Sequence, residues 1–178
     1  MKKNIFNGNQ LCISIAKRPG IYGTTIHNAG YQALGLNFFY KAFGTNDLKG
    51  AIRGVRALGI RGCSVSMPFK EKVIPLLDEL DILAKSSQAV NTIVNENGKL
   101  IGYNTDVVGI KQCLQPLKIN KNNRLLLLGS GGISRAFLVA LRNMKFNNIT
   151  ISNRTLRKSQ KLSKEFNVDF IKWSERNN

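Results

Sequence analysis

Four consecutive leucines, Leu125–Leu128, run straight into Gly129-Ser130-Gly131-Gly132, and a helix-forming stretch opens at once after the glycines. No other feature restricts the fold as strongly. A short unbroken apolar run bounded by a turn signal reads as a strand. A glycine turn leading directly into a helix makes it the first half of a strand–helix–strand unit. Glycine lets the backbone approach a pyrophosphate closely. The orphan N–H groups and the dipole of the helix start then favour its negative charge. Gly129, Ser130, Gly131, Gly132 and Ile133 are therefore predicted to bind a dinucleotide, with Ser134 at the usual third glycine position.

The residues after the next strand select the cofactor. An NAD site wants an acid about 20 residues on, for the ribose 2′-hydroxyl. Here Asn153-Arg154-Thr155 is followed by Arg157 and Lys158, and no acid lies between Gly129 and Glu165. A guanidinium grips a 2′-phosphate through two parallel hydrogen bonds, and a lysine adds point charge. The expected cofactor is NADP, with Asn153, Arg154, Thr155 and Lys158 as its clamp.

Strand-like and helix-like segments alternate along the whole chain. Strands are expected at Leu11–Ala16, Phe38–Phe43, Gly62–Ser66, Asn91–Asn95, Leu100–Tyr103, Leu125–Leu128, Ile149–Ser152 and Val168–Trp173. Asn97-Gly98 predicts a hairpin. Helices are expected at 24–35, from the N-cap Asp47 to a stop at Gly59, from Pro68 through Leu77, at 79–87, at 106–117, at 133–144 and at 155–166. Such alternation points to an α/β fold with parallel sheets covered by helices. The expected organisation is a substrate-binding α/β domain at 1–106, a linker helix at 107–118, and an incomplete Rossmann-type NADP-binding domain at 119–178.

Composition excludes several classes. Among 178 residues, 43% are hydrophobic and 21% charged, which sets aside a disordered chain or a rod. No apolar run reaches the ~20 residues of a membrane span. The basic start lacks the apolar stretch of a signal peptide. Three widely spaced cysteines, Cys12, Cys63 and Cys113, with one histidine and no CxxC, point to free thiols in a reducing cytoplasm and to no metal site. The net charge of +17 is uneven. Residues 1–120 hold 15 basic and 7 acidic residues, a net of +8, and residues 121–178 hold 12 and 3, a net of +9. Excess positive charge attracts polyanions in general. Yet it is scattered, no block of five or six basic residues occurs, and the 20 asparagines indicate a compositional bias instead. Nucleic acid is not the expected partner, and no membrane is.

Two segments of the first unit stand out. In SVSMPFKEK (64–72), Lys70 is placed one turn into a helix after a buried strand. AVNTIV (89–94) and GYNTDVVG (102–109) put Asn91, Asn104, Thr105 and Asp106 near strand ends and a helix start. Taken alone, Asp106 is equally a helix N-cap and Lys70 equally a solvated helix lysine.

Together with the glycine loop and Asn153-Arg154-Thr155, these segments resemble the shikimate dehydrogenase family. The shared motifs are the strand–x–Pro–x–Lys segment, the VNT strand, GxNTDxxG, GxGGxS and NRT, all in order. The start resembles a divergent, shikimate dehydrogenase-like branch. ISIAKRPGIYGTTIHNAG stands where the common branch carries a Ser-x-Ser-Pro segment for the substrate carboxylate, leaving Ser14, Arg18, Tyr22 or Thr24 for that task. His27 is read as structural. The resemblance implies NADP-dependent interconversion of shikimate, or a similar ring hydroxy acid, and 3-dehydroshikimate. In that role Lys70 acts as proton donor and acceptor, Asp106 is its partner, and Asn91 and Ser66 are substrate ligands. A homodimer is compatible with it. The family fold normally runs on by about half of this length again, so weak NADP binding and poor turnover are expected of the chain as it stands. A non-catalytic fragment that binds a small carboxylate or the cofactor is the alternative, and a basic nucleic-acid-binding protein a more distant one.

Overall fold

The computed structural model describes residues 8 and 10–177. They form two compact units, one running to Asp81 and including 90–103, the other made of 82–89 with 104–177.

The first unit is built on a six-stranded sheet. Its elements are β1 (Gln10–Ala16), α1 (Tyr22–Ala33), β2 (Phe38–Gly44), α2 (Leu48–Ala57), β3 (Gly62–Val65), β4 (Glu79–Leu80), β5 (Thr92–Glu96) and β6 (Lys99–Tyr103). The strand order is β2-β1-β3-β5-β6-β4. Strands β1, β2 and β3 are parallel, but β5 runs antiparallel to β3 and to β6. The sheet is thus mixed, not wholly parallel, because the Asn97-Gly98 turn, both residues at positive φ, reverses the chain in two residues.

Alternation along the strands divides the sheet into two unlike faces. Ile13, Ile15, Cys63, Val65, Ile93 and Leu100 point one way and are buried. The α2 helix contributes Ile52 and Val55 to the core, Asp47 caps it through Gly50 N at 2.8 Å, and Gly59 ends it at φ +61°. The other face carries Cys12, Ser14, Gly62, Ser64, Thr92 and Tyr103, all half-buried. At the β2 edge, α1 supplies side chains to the strand backbone. Ala42 N donates to Thr24 Oγ1 at 3.2 Å, and Asn28 brackets Tyr40. His27 stacks on Tyr40 with ring centroids 4.3 Å apart, in keeping with a structural role.

One expected helix does not form and another is shortened. The Pro68–Leu77 segment is a series of turns with one 3-10 turn at Ile74–Leu76. Pro75 has no N–H to donate and its ring crowds the preceding turn, so an α-helix cannot pass through it. Residues 79–80 pair with β6 as a strand, and only Ile82–Ser87 is helical (α3).

The second unit contains α3, α4 (Thr105–Leu114), β7 (Leu125–Leu128), α5 (Gly132–Asn143), β8 (Ile149–Ser152), α6 (Leu156–Phe166) and β9 (Asp169–Ile171). Its three strands are parallel in the order β7-β8-β9. The core gathers Leu138, Ile149, Ile151, Leu162 and Phe166 with Val107 and Ile110 of α4. The division of the chain therefore differs from the expected one. The helix at 107–118, expected as a linker, packs into the second unit, and so does α3. Their apolar faces meet α5, a contact that chain order does not reveal. Along β7 only the alternate leucines Leu125 and Leu127 are half-buried. Leu126 and Leu128 remain 42% and 54% exposed.

Candidate active site

In the first unit the backbone brings three of the predicted positions to one end of the sheet. Ser66 follows β3, exposed, its N–H bonded to Ile15 O at 2.9 Å. Phe69 N closes a turn on Ser66 O at 2.9 Å, across a cis Met67–Pro68 bond. Lys70 stands in this turn, half-buried, and not in a helix as its sequence context predicts. Its carbonyl accepts from Val90 N at 2.8 Å. The neighbouring Asn91 accepts from Val65 N at 2.7 Å through its carbonyl, and its Oδ1 accepts from Thr92 Oγ1 at 3.0 Å. Ser66, Lys70 and Asn91 are thus tied to one another through adjacent backbone bonds.

Asp106 belongs to the second unit. It lies in the first turn of α4, where a carboxylate suits the helix dipole. It is not the N-cap. Asn104 takes that place, its Oδ1 accepting from Asp106 N at 3.2 Å. Asn104 is 1% exposed, and its Nδ2 donates to Ser87 Oγ at 2.8 Å and Ala89 O at 2.9 Å. The asparagine two residues before the acid was the available signal for this cap.

The glycine loop and the basic clamp lie side by side in the second unit, because β7 and β8 are parallel neighbours. Gly129 N donates to Ser152 O at 2.8 Å. Gly129 has φ +114°, a conformation that favours glycine. A Cβ on Gly131 would meet nothing within 4 Å, so the loop has an open side. The start of α5 has no side-chain cap and no acid in its first turn, which leaves its N–H groups for an anion. The start of α6 likewise lacks a side-chain cap and an acid, and carries Arg157 and Lys158 instead. Arg154, Thr155, Arg157 and Lys158 are exposed, and Asn153 donates from Nδ2 to Thr155 O at 3.0 Å. This donor set fits a dinucleotide that bears an extra phosphate.

Other features fall outside this arrangement. A shallow cleft on α2, lined by Lys49, Ile52, Arg53, Arg56 and Leu76, holds none of the predicted residues. The three cysteines are free, and burial pushes the Cys63 thiol up to about 12, which leaves it a packing group. Among the described residues no cluster of three His, Cys, Asp or Glu side chains could hold a metal ion, and no helix is long and apolar enough to cross a membrane. Sequence reasoning missed the row of hydroxyls formed by Ser14, Ser64 and Thr92, which face one another across β1, β3 and β5. Their period-two placement was the signal.

Comparison with known proteins agrees with these features. The family model described as the shikimate dehydrogenase substrate binding domain matches residues 22–93, and that of shikimate / quinate 5-dehydrogenase matches 112–177. A shikimate dehydrogenase-like protein of Haemophilus influenzae is 48% identical over 162 residues, 91% of this chain and 60% of the relative. A shikimate dehydrogenase (NADP(+)) of Methanococcus maripaludis is 44% identical over 156 residues, 85% of this chain and 54% of the relative. The solved shikimate 5-dehydrogenase of Thermus thermophilus, in complex with NADP(H) and shikimate, superposes with a TM-score of 0.81. It is 29% identical, and the match covers 91% of this chain and 62% of that one. The chain thus spans 54% to 62% of the length of these proteins. With the two family models matched in order along it, the chain belongs to the shikimate dehydrogenase family.

Proposed function

We propose that this chain is an NADP-dependent oxidoreductase that interconverts shikimate, or a similar ring hydroxy acid, and 3-dehydroshikimate. The observation that carries the reading is the second unit's glycine elbow. A helix start free of caps and acids adjoins a strand end followed by Arg154, Arg157 and Lys158. Gly129 to Ile133 would hold the pyrophosphate, and Asn153, Arg154, Thr155 and Lys158 the 2′-phosphate. When bound, NADP accepts or supplies a hydride at the substrate's ring carbon.

The protein's own part is acid–base chemistry and positioning. In oxidation the Lys70 amine takes the proton of the reacting hydroxyl. In reduction the Lys70 ammonium returns it to the carbonyl oxygen. Asp106, the carboxylate paired with Lys70 in the shared motifs, favours the charged amine and orients it. Asn91 offers an amide and Ser66 a hydroxyl to the remaining ring hydroxyls. Half-burial of Lys70 and Asn91 limits competition from water.

The test is an assay of the chain and its Lys70→Ala variant, following NADPH absorbance with shikimate. Slow turnover by the unaltered chain and its near-complete loss in the variant, with NADP affinity the same in both, is the expected result. Turnover that survives in the variant overturns the lysine's role. NAD bound as tightly as NADP overturns the cofactor assignment.

A further inference from the structure

This inference rests on the proposed function, in which the ligand is a ring hydroxy acid with one carboxylate. The segment after β1 has no Ser-x-Ser-Pro sequence, and four residues are candidates for the carboxylate: Ser14, Arg18, Tyr22 and Thr24. The fold separates them. The Thr24 hydroxyl already accepts from Ala42 N and serves the β2 edge. Tyr22 is 78% exposed at the first turn of α1 and brings no charge. Ser14 lies within β1 opposite Ser64, a neutral hydroxyl in the row with Thr92.

We propose that Arg18 is the carboxylate-binding residue of this chain. The loop at 17–20 is held from two sides. Lys17 N donates to Met67 O at 3.1 Å, which lays the loop along the turn that carries Ser66 and Lys70. On the other flank, Thr45 N donates to Ala16 O at 3.0 Å. Pro19 packs so closely on Gly44 that a Cβ there would come within 3.2 Å of the proline ring. The backbone of Arg18 therefore follows directly on the bond to Met67, which lies in the turn between Ser66 and Lys70, while its own side chain is exposed. A planar guanidinium matches a carboxylate through two parallel N–H···O bonds, which the ammonium of the adjacent Lys17 cannot do. The Ser14, Ser64 and Thr92 hydroxyls on the same end of the sheet suit the hydroxyl groups of the ring.

The full chain and its Arg18→Met and Lys17→Met variants would be titrated with shikimate and with its methyl ester, following amide shifts by NMR. Arg18→Met is expected to weaken binding of the acid on the order of 10- to 100-fold, the effect of losing charge-assisted hydrogen bonds. It should leave the ester unchanged, and Lys17→Met should change neither. Unaltered acid binding in Arg18→Met overturns this inference and leaves the proposed function standing. So does an equal loss for acid and ester, which marks damage to the loop, or a loss that tracks Lys17 instead. If the unaltered chain binds neither acid nor ester, the proposed function fails and this inference falls with it.

Discussion

Asn28 on α1 holds the backbone of Tyr40 on the edge strand from both sides. Its Oδ1 accepts from Tyr40 N at 2.8 Å, and its Nδ2 donates to Tyr40 O at 2.9 Å. One side chain thereby stands in for a neighbouring strand at an open sheet edge, where unpaired groups would otherwise invite another chain. Asn28→Ala should destabilise the first unit by about 1–2 kcal/mol, as expected for two lost, partly buried hydrogen bonds. Thermal unfolding followed by circular dichroism measures this. A melting temperature equal to that of the parent would mean that the bracket contributes nothing.

Asn104 has the corresponding role inside the second unit. Its side chain caps α4 and bonds Ser87 and Ala89 in a buried setting. Asn104→Ala removes an N-cap and strands buried acceptors, at a cost on the order of 2–3 kcal/mol. Urea unfolding should show a lower midpoint with an unchanged slope. Asn104→Asp keeps the cap but loses the amide donor, and is expected to fall between the two.

Ser152 is fully buried, and its Oγ has no hydrogen-bond partner among the described residues. A desolvated hydroxyl without a partner costs free energy. Ser152→Ala should therefore leave stability unchanged or raise it by up to about 1 kcal/mol. A clear loss in the same urea assay would reveal a bond that this hydroxyl makes.

Asp78 joins α2 to the β6 strand. Its carboxylate accepts from Arg56 at 2.7 Å and from Leu100 N at 2.7 Å, and Arg56 also bonds Gly98 O. The Arg56 hydrogen bond, and after it that from Leu100 N, holds the carboxyl below its ordinary value of 3.8. The unfolded chain then takes up the proton at a higher pH than the folded one. The contribution is complete above the ordinary value and is lost as pH falls through the lower folded value. Both partners are 40% exposed, so the effect should stay below about 1 kcal/mol. Urea midpoints compared between pH 6 and pH 2.5 for the chain and Arg56→Met should converge at the acid end. A constant gap across that range would contradict the assignment.

The most local features were legible in the sequence. Leu125–Leu128, the glycine turn and the helix after it are fixed by neighbours in the chain, and β7 and α5 stand there. The Asn97-Gly98 reversal and the Asp47 cap are equally local. Where one residue dominates a segment, periodicity misled: Pro75 breaks a stretch whose apolar spacing resembles a helix. At the candidate site the motif residues were legible as residue types, but their settings were not. Lys70 stands in a turn, its carbonyl engaged by Val90 N, 20 residues away in the chain. Asp106 yields the cap to Asn104 because that side chain finds Ser87 and Ala89, 17 and 15 residues away in the chain. Residue order alone determined the alternation of strands and helices and the chemistry of the glycine loop. Only the tertiary structure decided that α3 and α4 pack with the second unit, that β5 pairs antiparallel with β3, and that Lys17, next to Arg18, bonds the Met67 carbonyl. Each of these depends on contacts between segments distant in the chain, and burial and backbone pairing set those contacts without regard to sequence separation.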